Sequence, residues 1–482
     1  MGFLSAGYFA FFPAVALLFF LLPHRLRSGF LLLASWLFCL CAGAESLLFL
    51  ALTALLTYVT ALHMEKRPSR ALLTLAVVGF VAVLGVFKYL DFGASLLRQA
   101  LGAVGLDWSA TVPRLLLPAG ISFYFFAAMG YLMDVYRGKA PAEKSFVKCA
   151  LFLSFFPYLL SGPIGRAGEL LPQFERVHHY DDEAMEEGLL RFLWGAFKKL
   201  LLADKLAVIV DTVFAAPERF GALQVLLAAC AFSVQIYCDF SAYSDMAVGS
   251  ARAMGFTLTE NFRTPYFARS IAEFWRRWHI SLSSWFRDYL YIPLGGSRRG
   301  RVRKYVNILI VFTVSGLWHG AAVTFLVWGL LNGLYQVAGA LTAPARDRVR
   351  AVLPLREDGL LLRLWQMGWV FGLSTLAWVF FKAPTVPAAL AVLGNMAKPV
   401  LWDVGGLTAM GLGKREFLVL ALALIVLVTV DALSQKRELT KQVAGASRPL
   451  RWAVYLALLL VVVIFGSYGT GYDAQNFIYG QF

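Results

Sequence analysis

Apolar runs follow one another along this chain almost without pause, at residues 8–23, 28–42, 47–62, 71–90, 115–133, 146–160, 223–237, 306–318, 321–338, 366–381, 417–432 and 452–467. A helix needs roughly 20 apolar residues to cross about 30 Å of hydrocarbon. Only 15% of the 482 residues are charged and 59% are hydrophobic, against roughly 25% charged in a soluble domain. The chain therefore reads as an all-α polytopic membrane protein. Many runs fall short of a full span, so several must tilt, re-enter or pack inside the protein. The expectation is about 10–13 transmembrane helices, with re-entrant and interfacial helices beside them.

The N-terminus has no basic leader, and HRLR follows its first apolar run directly. Both features favour a retained first helix over a cleaved signal peptide. The opening MGFLSA also lacks the hydroxyl residue that a myristoylation signal needs. Cys39, Cys41, Cys149, Cys230 and Cys238 lie in apolar segments without a CxxC pair or metal-ligand spacing, and read as small core residues. The formal net charge is +15, but the basic residues are spread over short loops between runs, so membrane topology explains them better than nucleic acid does. HRLR, HMEKRPSR and YRGKAPAEKSFVK, after the first, third and fifth runs, are basic. GAES has no Lys or Arg, and residues 91–114 carry only Arg98 and Arg114. The positive-inside rule then puts the N-terminus outside, GSRRGRVRKY (296–305) and KRELTKQVAGASRPLR (436–451) in the cytoplasm, and the C-terminal GYDAQNFIYGQF outside.

No internal repeat marks two inverted halves, which weakens a secondary-transporter reading. By texture the chain divides into N-terminal transmembrane hairpins (1–110), a core (111–342) where polar, aromatic and glycine residues crowd into membrane-like segments, and C-terminal helices (343–482) entered through ARDRVRAVLPLRED.

Three stretches of the core carry candidate chemistry. In QIYCDFSAYSDMAVGSARAMGF (235–256), a helix sets Gln235 one turn from Asp239 and Ser241 one turn from Asp245. These carboxylates either brace helix ends through backbone amides or form a polar wall of a substrate cavity. In NFRTPYFARSIAEFWRRWHISLSSWFRDYLYIPLGG (261–296), Phe274, Trp278, Ser281 or Leu282, and Trp285 share one helical face. Arg276, Arg277, Ser283, Ser284 and Arg287 lie largely on the other, the pattern of an interfacial amphipathic helix. His279, one turn from Trp275, is then either incidental or part of a site whose guanidinium groups suit a phosphorylated carrier such as coenzyme A. In VFTVSGLWHGAAVTFLVWGLLNG, His319 follows Trp318 between Gly316 and Gly320 inside an apolar run. An ionisable group at that depth is costly and usually functional. A satisfied core histidine and a general base both remain open, while a metal ligand is poorly supported because no His or Cys lies nearby at ligand spacing. His178 and His179, in ERVHHYDDEAMEE, read as solvated surface.

LPAGISFYFF, FPYLLSGPIGR, YCDFSAYSDMAVG, FWRRWHISLSSWFRDYLYIPLGGSRRG and SGLWHGAAVTFLVWGLLNG, in this order and followed by the terminal NFIYGQF, resemble the membrane-bound O-acyltransferases (MBOAT). The likeness is greatest to the bacterial branch that contains the membrane subunit of alginate O-acetylation and the D-alanyl transferase of teichoic acids. It implies an MBOAT fold built around a central tunnel that joins a cytosolic funnel to an extracytoplasmic one. It also implies that His319 is the catalytic residue, with His279 at the family's earlier polar position. Trp318, Trp275, Arg276, Trp278, Asp239, Ser241, Asp245 and Gln235 are then candidates for substrate binding.

The expected activity is transfer of an acetyl or similar small acyl group from a cytosolic thioester, acetyl-CoA above all, toward an extracytoplasmic polysaccharide. The protein would sit in a bacterial inner membrane and need no cofactor, the thioester being the donor substrate. The resemblance further implies that the acyl group leaves on the outer side to an extracytoplasmic partner of serine-hydrolase type, in keeping with a chain in which no nucleophile elbow or Ser-His-Asp order occurs. The alternatives are D-alanyl transfer from a carrier protein to a cell-wall polymer, which the extra helices after Ala343 disfavour, and a non-enzymatic polysaccharide channel or scaffold.

Overall fold

The computed structural model describes residues 1–106, 115–352, 359–398 and 404–468. The C-terminal GYDAQNFIYGQF, expected outside, with its terminal NFIYGQF, lies outside the described residues. Among those described, regular structure is helical throughout. In chain order the helices are α1 (Ala6–Leu21), α2 (His24–Leu40), α3 (Ala44–Lys66), α4 (Arg70–Ala103), α5 (Ile121–Tyr136), α6 (Phe146–Ser154), α7 (Phe156–Leu159), α8 (Ala167–Glu175), α9 (Asp182–Phe197), α10 (Asp204–Ala215) and α11 (Ala222–Ala253). There follow α12 (Ile271–Arg277), α13 (Ile280–Phe286), α14 (Arg301–His319), α15 (Val323–Leu341), α16 (Ala343–Val352), α17 (Leu360–Lys382), α18 (Val386–Met396), α19 (Lys414–Ser434), α20 (Leu439–Ala444) and α21 (Arg448–Phe465).

Seven of these, α3, α4, α11, α15, α17, α19 and α21, are long and apolar enough to cross a membrane, and α1, α5 and α18 are shorter apolar helices. This is the mixture of full spans and short segments that the run lengths imply. The most apolar window of α11 is 78% buried whereas that of α21 is only 6% buried, so α11 is enclosed by protein and α21 offers its leucines and valines to lipid. Hydroxyl caps start several helices. Ser5, Ser69, Ser145 and Thr385 accept from backbone amides in the first turns of α1, α4, α6 and α18.

Two local departures from the sequence expectation have simple causes. Residues 91–103, read as the start of a loop, continue α4. The stretch DFGASLLRQALGA holds no proline, and single charges at Asp91 and Arg98 do not stop a helix. The run 146–160 is split between α6 and α7 at Phe155, just ahead of Pro157, and the Phe156 amide donates to Ser35 Oγ at 3.1 Å. Both pieces are buried and serve as core, not as spans.

The described chain forms two compact units. One comprises Met1–Leu189 and Met246–Thr259. Its core gathers aromatic rings, with Tyr8 stacked on Phe12 and Phe11 edge-on to Phe156, and the Tyr8 hydroxyl lies 2.7 Å from Ser250 Oγ. His178 belongs here and is not the solvated residue expected. Its Nε2 is 2.8 Å from the Gln173 carbonyl and its ring centre 4.3 Å from that of Phe256, while His179 is exposed. Burial holds the His178 imidazole below the usual histidine range.

The other unit comprises Leu190–Asp245 and residues 260–468. Its central packing is α14 against α15, which touch backbone to backbone. A Cβ on Gly316 would land on the Phe325 carbonyl oxygen, and one on Gly329 would land on that of Phe312. Small residues at such a crossing let two helices approach closely where no side chain fits. Gly329→Ala is expected to force the pair apart and cost about 1–3 kcal/mol, the usual range for overpacking. Gly339→Ala, on the same helix with open space around it, should leave the unfolding midpoint of the purified protein near wild type. Equal midpoints for the two variants would contradict this view of the crossing.

Candidate active site

α14 ends on His319, and Gly320 then leaves the helix in an extended conformation. The close crossing with α15 fixes where that end lies, and rings from three helices wall the imidazole. Trp318 is 4.7 Å away between ring centres, Trp328 of α15 is 5.0 Å away and edge-on, and Phe381 of α17 is 5.3 Å away. Trp378 stacks on Trp328 at 5.5 Å and meets Trp278 at 5.0 Å. His319 is only 3% exposed.

His279 reaches the same place by a different route. The continuous amphipathic helix expected from residue 270 onward is interrupted. α12 stops at Arg277, His279 takes a left-handed backbone conformation (φ 42°, ψ 55°), and α13 begins at Ile280. The segment preceding α12 fixes this break. The Arg263 amide donates to the Arg277 carbonyl at 3.0 Å, and the Ile280 amide donates to the Asn261 carbonyl at 2.9 Å. Residues 261–264 are thereby laced to the interruption. His279 is 1% exposed, with Phe240 edge-on at 4.6 Å and Trp318 at 6.3 Å. Trp318 is thus the ring shared by both histidines.

The other candidates fall into three environments. Trp278 is buried in the aromatic wall, and Trp275 donates its indole N–H to Asn332 Oδ1 at 3.3 Å. Arg276 is exposed, as the amphipathic reading expects, whereas Arg277 bonds Glu273 at 2.7 Å and Thr264 Oγ1 at 3.2 Å. Asp239, Ser241 and Asp245 on α11 are engaged by cations. Lys198 Nζ lies 2.6 Å from both Asp245 Oδ2 and Ser241 Oγ, and Lys199 Nζ bridges Asp239 at 2.7 Å and Asp204 at 2.9 Å. Arg191 donates from Nε and Nη2 to Asp245 Oδ1 and forks onto Glu260. Gln235, one turn before Asp239, is buried, and among the described residues its Oε1 has no hydrogen-bond partner.

Arg191, Lys198, Lys199, Glu260 and Asn261 were not singled out by the sequence. A signal for the lysines existed: GAFKKLLLAD sets two adjacent cations in an apolar run, where a charge needs a partner. Residues 198–203 form a wide π-helical turn that keeps both ammonium groups facing α11. Asn261 opens the quoted NFRTPYF stretch, yet its role depends on contacts that local spacing does not reveal.

Chemically, the arrangement is two buried imidazoles sharing an indole inside an aromatic wall, with ion-paired carboxylates on α11 in the same unit. Comparisons with known proteins place the chain in a family. The model of the membrane-bound O-acyltransferase (MBOAT) family matches residues 140–382, which include both histidines. The chain is 35% identical to the protein named "Probable alginate O-acetylase AlgI" of Pseudomonas putida, over 98% of each. It is 34% identical to the peptidoglycan O-acetyltransferase of Helicobacter pylori, over 80% of this chain and 78% of that one. With the teichoic acid D-alanyltransferase of Bacillus subtilis it shares 26% identity over 45% of this chain and 57% of that protein. An all-helical membrane fold, a W-H-G histidine closing a buried helix end, and full-length likeness to named acetylases converge: this chain belongs to the membrane-bound O-acyltransferase family and is an acyltransferase.

Proposed function

We propose that this protein takes an acetyl group from a cytosolic thioester, acetyl-CoA, and passes it outward for O-acetylation of an extracytoplasmic polysaccharide, with His319 as the general base. The observation that carries this reading is the placement of His319 at the end of α14, walled by Trp328 and Phe381 and linked to His279 through Trp318. A hydroxyl is a weak nucleophile until its proton is taken. Neutral imidazole takes that proton as the hydroxyl oxygen attacks the thioester carbonyl. The C–S bond then breaks, and the departing thiolate recovers the proton as free thiol. His279 orients the donor. The buried indole N–H of Trp328, for which the described residues supply no acceptor, is suited to the developing oxyanion.

In this reading the coenzyme docks at the exposed Arg276 and the basic 296–305 segment. The acyl group enters past the half-buried Trp318, along the tunnel that the resemblance implies. Both termini face away from the cytoplasm of a bacterial inner membrane, and a serine-hydrolase-type partner completes the esterification. Acetyl is favoured over D-alanyl because likeness to two named acetylating proteins covers four fifths or more of the chain, and likeness to the D-alanyltransferase less than half. The test is purified protein in nanodiscs given acetyl-CoA labelled in the acetyl group, with a hydroxyl-bearing polysaccharide and the extracytoplasmic fraction of the source cells. Free CoA and label on polysaccharide or a co-purifying protein are expected. Glycan binding without thiol release would instead favour a scaffold.

A further inference from the structure

We propose that Asn261 is a positioning residue that sets the tautomer of His279, holding its proton on Nδ1 and so assigning the lone pair to Nε2. This inference rests on the reading of His279 as part of the acyl-transfer site. The chemistry that supports it is independent of that reading.

The Asn261 amide turns its oxygen, not its nitrogen, toward the imidazole. Asn261 Oδ1 lies 3.3 Å from the Ser281 backbone nitrogen, and a backbone N–H donates but never accepts. The atom there must therefore be the amide oxygen. The Ser281 hydroxyl donates to the same oxygen at 2.7 Å, and the amide nitrogen donates to Ser244 Oγ at 3.1 Å. With both ends of the amide spoken for, its orientation is fixed by its neighbours. His279 Nδ1 lies 3.3 Å from that oxygen, which has no hydrogen to give. The bond forms only when Nδ1 carries the proton. In neutral imidazole one nitrogen donates and the other accepts, so the accepting nitrogen is Nε2.

The backbone enforces the same geometry. The Asn261 carbonyl accepts the Ile280 amide, so main chain and side chain of one residue grip both sides of His279 in its left-handed conformation. Asn261 and Ser281 are both 1% exposed, which keeps water from replacing the amide as a competing partner. A left-handed non-glycine residue persists only where its surroundings over-determine it.

The test uses the full chain in nanodiscs with ¹⁵N-labelled histidine, the His279 signals being identified by their loss in His279→Gln. The native protein at neutral pH is expected to show a protonated Nδ1 and an unprotonated Nε2. The opposite pattern overturns the proposal without any variant at Asn261. Asn261→Ala should mix the two tautomers and lower kcat for thiol release about 10- to 100-fold, the range found when a partner that orients an imidazole is lost. KM for the thioester should change little. Asn261→Asp keeps the acceptor oxygen and should keep the native ¹⁵N pattern, which guards against an alanine variant that fails to fold. An unchanged tautomer in a folded Asn261→Ala protein means a purely structural role and overturns the inference. A mixed tautomer with unchanged thiol release upholds Asn261 as the tautomer-setting residue and instead removes His279 from the proposed reaction.

Discussion

His319→Ala is expected to lower thiol release from acetyl-CoA by about 10²- to 10⁴-fold, the range for loss of a general base. The variant also removes a ring that packs on Trp328 and Phe381, so some stability is lost with the chemistry. His319→Gln keeps most of the volume without a basic nitrogen and should be equally inactive while unfolding closer to wild type. Thiol release measured beside unfolding midpoints separates the two effects. Near-normal turnover by either folded variant would remove His319 from the mechanism.

The second large effect concerns stability. Lys198, 3% exposed, and Asp245 form an ion pair at 2.6 Å. Removing one partner of a buried pair strands the other charge and costs about 3–5 kcal/mol, far above the roughly 0–1 kcal/mol of a surface pair. Lys198→Met leaves the Asp245 carboxylate with Arg191, and Asp245→Leu leaves two cations facing one another, with Glu260 on Arg191 and Ser241 and the Tyr237 ring beside Lys198. Both single variants are expected to fall in the costly range, Asp245→Leu being the worse. The double variant should recover part of the loss, since it removes the stranded ammonium along with the carboxylate. Denaturant unfolding of the four proteins forms the cycle. Single-variant losses below about 1 kcal/mol would mean that these charges are solvated like surface groups.

The sequence reveals the spans and the W-H-G histidine because each is a local pattern. Apolar length announces a helix, and glycines beside Trp318 and His319 announce close approach. Asp239 and Asp245 were visible for the same reason, as charges in a greasy helix. Their pairing was not, because Lys198 and Lys199 lie some 40 residues earlier and meet α11 only once the chain has folded. The break at His279 was illegible in another way. FWRRWHISLSSW keeps its apolar period and holds neither glycine nor proline, so nothing local interrupts the helix. Hydrogen bonds from residues 261–264 impose the left-handed turn. Part of the site was thus written in spacing, and part in contacts between distant segments.

If His319 is the base, as proposed, the rings packed on it would also govern what is wasted. A thioester carbonyl is attacked by water as well as by alcohols, and an acyl group hydrolysed in place is a donor molecule spent for nothing. Trp318, Trp328 and Phe381 shield an imidazole that is 3% exposed, so an acyl carbonyl held against it, as the proposed function requires, would be kept from bulk solvent. Under the proposed function, the ratio of esters formed to donors consumed would follow the aromatic packing, separately from the rate that the histidine confers.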